Sequence, residues 1–194
     1  MIKDNLIVMD GLTQYASPKA RLTRILKSGE LVQIRRGLYL DPKEDYSTKT
    51  LANMIYGPSY ISFEYALAYY GLIPEKVNAY TSAAYRKNKN KTFHTPLGSF
   101  LYYYLPKEVY PYGITKEQEN NDSFLIATPE KALCDMLYKV KRLDIKNPME
   151  SLLFDDLRMD ENAIKNLDKK ELSFLVTLYK KKIHYKFLKW FNGD

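Results

Sequence analysis

Residues 17–40 read SPKARLTRILKSGELVQIRRGLYL, a basic helix that runs directly into a tight hairpin. Ser17 stands where a hydroxyl can cap free amide groups, and Pro18 suits the first helical turn because its missing N–H is not needed there. Ala20, Leu22, Ile25 and Leu26 recur at helical spacing and predict one apolar face. Lys19, Thr23, Arg24 and Lys27 then point outward, with Arg21 at the edge. Gly29 tolerates the positive φ that ends a helix. Leu31–Ile34 and Leu38–Leu40 are short apolar runs of strand formers, and Gly37 permits the reversal between them. The tip of that hairpin is Arg35-Arg36-Gly37. A basic amphipathic helix alone is most often just a solvated surface. Joined to a basic hairpin, it predicts a winged helix-turn-helix, in which a helix enters the DNA major groove and a wing meets the minor groove or backbone. The DNA-binding residues expected on this reading are Lys19, Arg21, Thr23, Arg24, Lys27, Arg35 and Arg36.

Charge agrees modestly. Of the net +7, residues 1–40 supply +4 (seven Lys/Arg against three Asp/Glu), leaving +3 for the other 154 residues. Basic surfaces attract phosphates and release counterions on binding. A hydrophobic content of 45% with 14% aromatics excludes a disordered chain and provides a packed core. The single cysteine, Cys134, excludes an internal disulfide and fits a reducing, cytoplasmic location. It lies in an apolar helical run, so buried packing is its expected role. The apolar stretch near the N-terminus is short and broken by Asp10, unlike a signal peptide, and no run reaches the ~18 apolar residues of a membrane span. The two histidines, His94 and His184, have no spaced Cys, His or Glu partners for zinc. There is no Gly-rich phosphate loop, no GxSxG elbow and no HExxH. The chain therefore reads as a non-enzyme with no metal and no cofactor.

The fold class expected is α+β: an N-terminal winged helix-turn-helix, then a mixed domain with a β-sheet flanked by helices, then a helical C-terminal tail. The polar joint DPKED at 41–45 divides residues 1–44 from 45–194. One or two short helices are expected within 2–15. A helix over 47–56 should bury Leu51, Met54 and Ile55. Ser62 should cap a helix over 63–70 that stops at Gly71. Strands are expected at 77–83, 91–95, 98–105 and 123–127. Thr128 and Pro129 open a helix over 129–140, with Glu130 favourably placed in its first turn. The tail should form helices at about 149–158, 161–167, 169–182 and 184–191. Asp168 with Glu171 resembles a capping box, and Trp190 should pack the tail.

Several motifs occur in order: RRGLY (35–39), YISFEYALAYYGLIP (60–74), YTS (80–82), FHTPLGSF (93–100) and IATPEKALCDMLY (126–138). Together they resemble the AbiEi family of antitoxins from abortive-infection, phage-defence toxin–antitoxin systems. The matching family patterns are RRGxY, YISxExALxxYGLIP, TS…FxTxxGxF and ATPEKALxDxLY. The resemblance spans about residues 20–160. It implies a bacterial cytoplasmic antitoxin and transcriptional regulator. The winged helix would repress its own operon by binding double-stranded promoter DNA at inverted repeats. The C-terminal domain would counter a cognate nucleotidyltransferase-type toxin, in the type IV manner, without a stable complex. The alternative is a protein-interaction antitoxin that neutralises its toxin by direct contact, without DNA binding.

Candidates for antitoxicity are Glu64, Lys131 and Asp135, if they share a cleft, together with the basic loop Arg86, Lys87 and Lys89, which Lys91 extends. The bland reading of Glu64, Glu130 and Asp135 is capping, dipole and salt-bridge chemistry. The loop reads first as solvated surface, and otherwise as a seat for DNA phosphates, a tRNA or an acidic toxin face. A second basic cluster, Lys180-Lys181-Lys182 with Lys186 and Lys189, lies on the last helices.

Overall fold

The computed structural model describes residues 1–140 and 148–193. The chain begins as a strand, β1 (Ile2–Asp4), where the sequence predicts only helix. The reason is pairing at a distance: Ile2 lies opposite Leu40 on the outer edge of the hairpin. Asp4 then caps α1 (Asn5–Asp10), accepting from Ile7 N at 2.9 Å. Helix α2 (Pro18–Ser28) ends at Gly29 with φ 76°. Ser17 makes no capping bond through its side chain; its carbonyl accepts from Arg21 N at 3.0 Å. Ile25 is buried with Leu22 and Leu26 half-buried, whereas Ala20, expected on the same face, is exposed. Strands β2 (Val32–Arg35) and β3 (Leu38–Leu40) form the hairpin, turning at Gly37 with φ 80°. With β1 they make an antiparallel sheet in the order β1-β3-β2.

Alternation along β3 sends its residues into two cores. Tyr39 joins Val8, Leu12 and Ile25 in a small N-terminal cluster. Leu38 and Leu40, with Ile34 of β2, join the large core of the rest of the chain. The packing thus runs across the joint at 41–45.

Helix α3 (Thr48–Ile55) is capped by Ser47 and buries Leu51, Ala52 and Ile55. Met54 is exposed, not buried as its spacing predicts; Ala52 takes the inward place. The large sheet has six strands in the order β6-β7-β5-β4-β9-β8. These are β4 (Ser59–Ile61), β5 (Tyr80–Ala84), β6 (Lys91–Thr95), β7 (Gly98–Tyr104), β8 (Ile114–Glu119) and β9 (Asp122–Ala127). The inner pairings β4–β9 and β5–β7 are parallel, and the others are antiparallel. Helices cover both faces. Ser59 and Tyr102 bond to α3 carbonyls on one side, while Tyr60 reaches Asp135 and Tyr103 meets Phe63 on the other.

That second side carries α4 (Phe63–Tyr69) and α5 (Pro129–Lys139), backed by α6 (Glu161–Lys165), α7 (Lys169–Tyr179) and α8 (Lys182–Asn192). Ser62 does not cap α4, because its hydroxyl donates to Asp135 instead. Thr81 of β5 supplies the cap, accepting from Tyr65 N at 3.0 Å. The predicted helix at 149–158 is a π-helix over Ser151–Asp156. Lys180, at φ 52°, ends α7 earlier than predicted. The capping box at Asp168 has a different second arm: Glu130 of α5 accepts from Asp168 N at 2.8 Å, while Glu171 accepts from the Thr128 hydroxyl. Trp190 packs the tail, edge to face with Phe154, and donates to Glu150.

Candidate nucleic-acid interface

On α2, Lys19, Thr23, Arg24 and Lys27 all face solvent. The Thr23 hydroxyl donates back to Lys19 O at 3.0 Å. Arg21 differs: it is half-buried, with its guanidinium 5.1 Å above the Tyr15 ring. That stacking holds Arg21 on its own module and leaves Lys19, Arg24 and Lys27 as the free cations. Among the described residues none of these three pairs with a carboxylate.

The hairpin tip meets a distant part of the sequence. Arg35 and Arg36 line a cavity of about 460 Å³ with Lys87 of the loop after β5, Lys91 and Phe93 of β6, and Ile55, Tyr56 and Gly57 at the end of α3. The Lys87 ammonium lies 4.8 Å from the Tyr56 ring centroid. Lys91 lies 5.7 Å from Tyr56 and 5.3 Å from Phe93. Cation–π attraction of this kind fixes an ammonium without neutralising it. Arg35 donates to Arg36 O at 2.9 Å, and its Nε is buried with no acceptor among the described residues. No carboxylate lines the cavity, and none of its four cations forms an ion pair among the described residues. The other loop cations, Arg86 and Lys89, stay exposed, with Arg86 5.2 Å above the Tyr85 ring.

The sequence-predicted wing and basic loop therefore meet, although the sequence assigns them to different tasks. Lys91 was legible as part of the basic loop but not as a site residue. Its signal is the two-residue spacing to Phe93, which puts both on one face of a strand. Tyr56 and Phe93 gave no signal of their own.

Glu64, Lys131 and Asp135 do not share a cleft. Lys131 and Asp135 are wholly buried and paired to each other at 2.9 Å. The Asp135 carboxylate also accepts from Ser62 Oγ at 2.6 Å, Tyr60 OH at 3.0 Å and Tyr179 OH. Glu64 pairs instead with Lys139 at 2.6 Å. Burial and the neighbouring carboxylate push the Tyr60 and Tyr179 phenols well above their ordinary range, so both stay protonated donors. Three hydroxyl bonds and the Lys131 counter-charge satisfy a carboxylate that no solvent reaches. Burial also raises the Cys134 thiol, leaving it unreactive.

No group of three or more His, Cys, Asp or Glu able to hold a metal ion occurs among the described residues. No helix there is long and apolar enough to cross a membrane. Comparison with protein-family models finds none that matches the chain, and comparison with curated proteins finds no match either.

Proposed function

We propose that this protein is a DNA-binding autorepressor that also acts as an antitoxin. The observation that carries the DNA reading is the set of cations on α2 and the hairpin tip that form no ion pair among the described residues. The order β1-α1-α2-β2-β3, with its antiparallel three-stranded sheet, suits a winged helix-turn-helix. Lys19, Arg24 and Lys27, with Thr23, would enter the major groove. Arg36 would take the backbone or minor groove. Arg21 would act by holding the helix through Tyr15 rather than by touching DNA. The antitoxin half, and a nucleotidyltransferase-type toxin as its target, rest on the motif resemblance to AbiEi proteins. The burial of Lys131 and Asp135 moves any antitoxic surface to exposed groups such as Arg86 and Lys89.

The test is a mobility-shift titration on the DNA upstream of the gene, against a scrambled duplex, at two salt concentrations. Wild type should shift the upstream DNA selectively. Arg24→Ala with Lys27→Ala should weaken binding and lower the slope of log affinity against log salt by about 1–2. Equal affinity for both duplexes, or no effect of the double substitution, removes α2 as the reader. Untagged toxin co-purifying with the chain would favour neutralisation by direct contact.

A further inference from the structure

We infer that the cavity between the hairpin tip and the large sheet is a binding site for a nucleoside triphosphate. This assignment does not rest on the DNA-binding reading, although both use Arg36, so bound nucleotide and DNA would compete for that side chain. Two adjacent guanidinium groups, Arg35 and Arg36, and two ammonium groups, Lys87 and Lys91, converge on one space of about 460 Å³. The arginines come from the hairpin tip and the lysines from the basic loop that leads into β6, two segments far apart in the sequence, so the fold brings the two pairs together. Four like charges with no carboxylate among them repel one another. An anion of three to four negative charges removes that repulsion, and a triphosphate carries that charge.

The types of cation also fit. Arginine forks grip phosphate oxygens in pairs, and lysine supplies movable point charges. The remaining wall is apolar and aromatic: Ile55, Tyr56 and Phe93. Inorganic phosphate has no use for such a wall, whereas a nucleobase and ribose do. The volume lies within the range of small-molecule sites. The cations that ride on the rings, at 4.8–5.7 Å, are already placed at the junction between the charged and the apolar parts.

The experiment is isothermal titration of the full chain with ATP, GTP, inorganic tripolyphosphate and inorganic phosphate. At least one nucleoside triphosphate should bind saturably at one per chain, several-fold tighter than tripolyphosphate. Lys87→Ala and Arg36→Ala should each weaken it by about tenfold or more. Lys180→Ala with Lys182→Ala, in the other basic cluster, should not. Arg36 is exposed, so its substitution leaves folding intact, and thermal melts check this for both variants. No saturable nucleotide binding overturns the assignment, as does binding that both cavity variants leave unchanged. Tripolyphosphate binding as tightly as the nucleotides overturns the role of the aromatic wall, and with it the nucleoside.

Discussion

Lys131 is a charge with nowhere to go except Asp135. Its side chain is wholly buried, and it touches the carboxylate at 2.9 Å and the Tyr179 hydroxyl. Lys131→Met should therefore cost about 3–5 kcal/mol in urea unfolding, because it strands a buried carboxylate. Adding Asp135→Leu should recover part of that loss, and a purely additive double variant would contradict the pairing. The i,i+4 spacing is a local signal for this pair, although the sequence reading sends both residues to a cleft shared with Glu64. The other partners give no such signal, since Tyr179, Ser62 and Tyr60 lie 44, 73 and 75 residues from Asp135. His184 presses flat on Tyr179 at 4.4 Å and hydrogen-bonds Cys134 O through Nε2 at 2.9 Å. Burial, helped by the Lys181 and Lys131 charges, lowers its pKa to about 4, although the bond to Cys134 O opposes this. The unfolded histidine, near 6.5, takes up its proton first as pH falls. The contribution of His184 is thus fully present above about 6.5 and is lost toward 4, by up to about 3 kcal/mol. Stability measured from pH 7.5 to 4.5 should decline less steeply in His184→Gln; an unchanged slope would exclude this group as the cause.

Helices with strong local signals formed close to where the sequence puts them, because caps and apolar periodicity act within a few residues. Thr128-Pro129 opens α5, and Gly29 closes α2. Elements defined by a neighbour were hidden. β1 is a strand only because Leu40 is opposite Ile2, and β4 is three residues long. β8, ITKEQE, sits at the sheet edge with half-wet side chains, so it lacks the apolar alternation of a covered strand. α4 shows the same division at its start. Its sequence offers Ser62 as cap, but the hydroxyl goes to Asp135 and Thr81 does the capping. Thr81→Val should then lower stability by about 1–2 kcal/mol in chemical denaturation. A negligible loss would mean that α4 needs no cap from β5. The cationic cavity was hidden for a similar reason: its four charges were all visible in the chain, but their meeting depends on how the hairpin lies against β6.

Across the whole molecule, β3 is where the two cores join. Leu40, 1% exposed, belongs to the large core, and its neighbour Tyr39 belongs to the small one. Leu40→Ala should destabilise the protein by about 2–5 kcal/mol. It should shift the unfolding seen by Trp190 fluorescence, although that side chain sits in the tail. Val8→Ala, confined to the small core, should instead speed amide exchange in α2 while leaving the Trp190 transition nearly in place. Two independent transitions in wild type would contradict this sharing. The dual allegiance of β3 also bears on how such proteins can be recombined. A piece ending after residue 44 would carry Ile34, Leu38 and Leu40 away with their oily side bare, prone to stick to the first greasy surface it meets. Grafting the N-terminal elements onto a foreign protein would require a matching socket for those three side chains, so the segment would travel between proteins only together with the floor on which it rests.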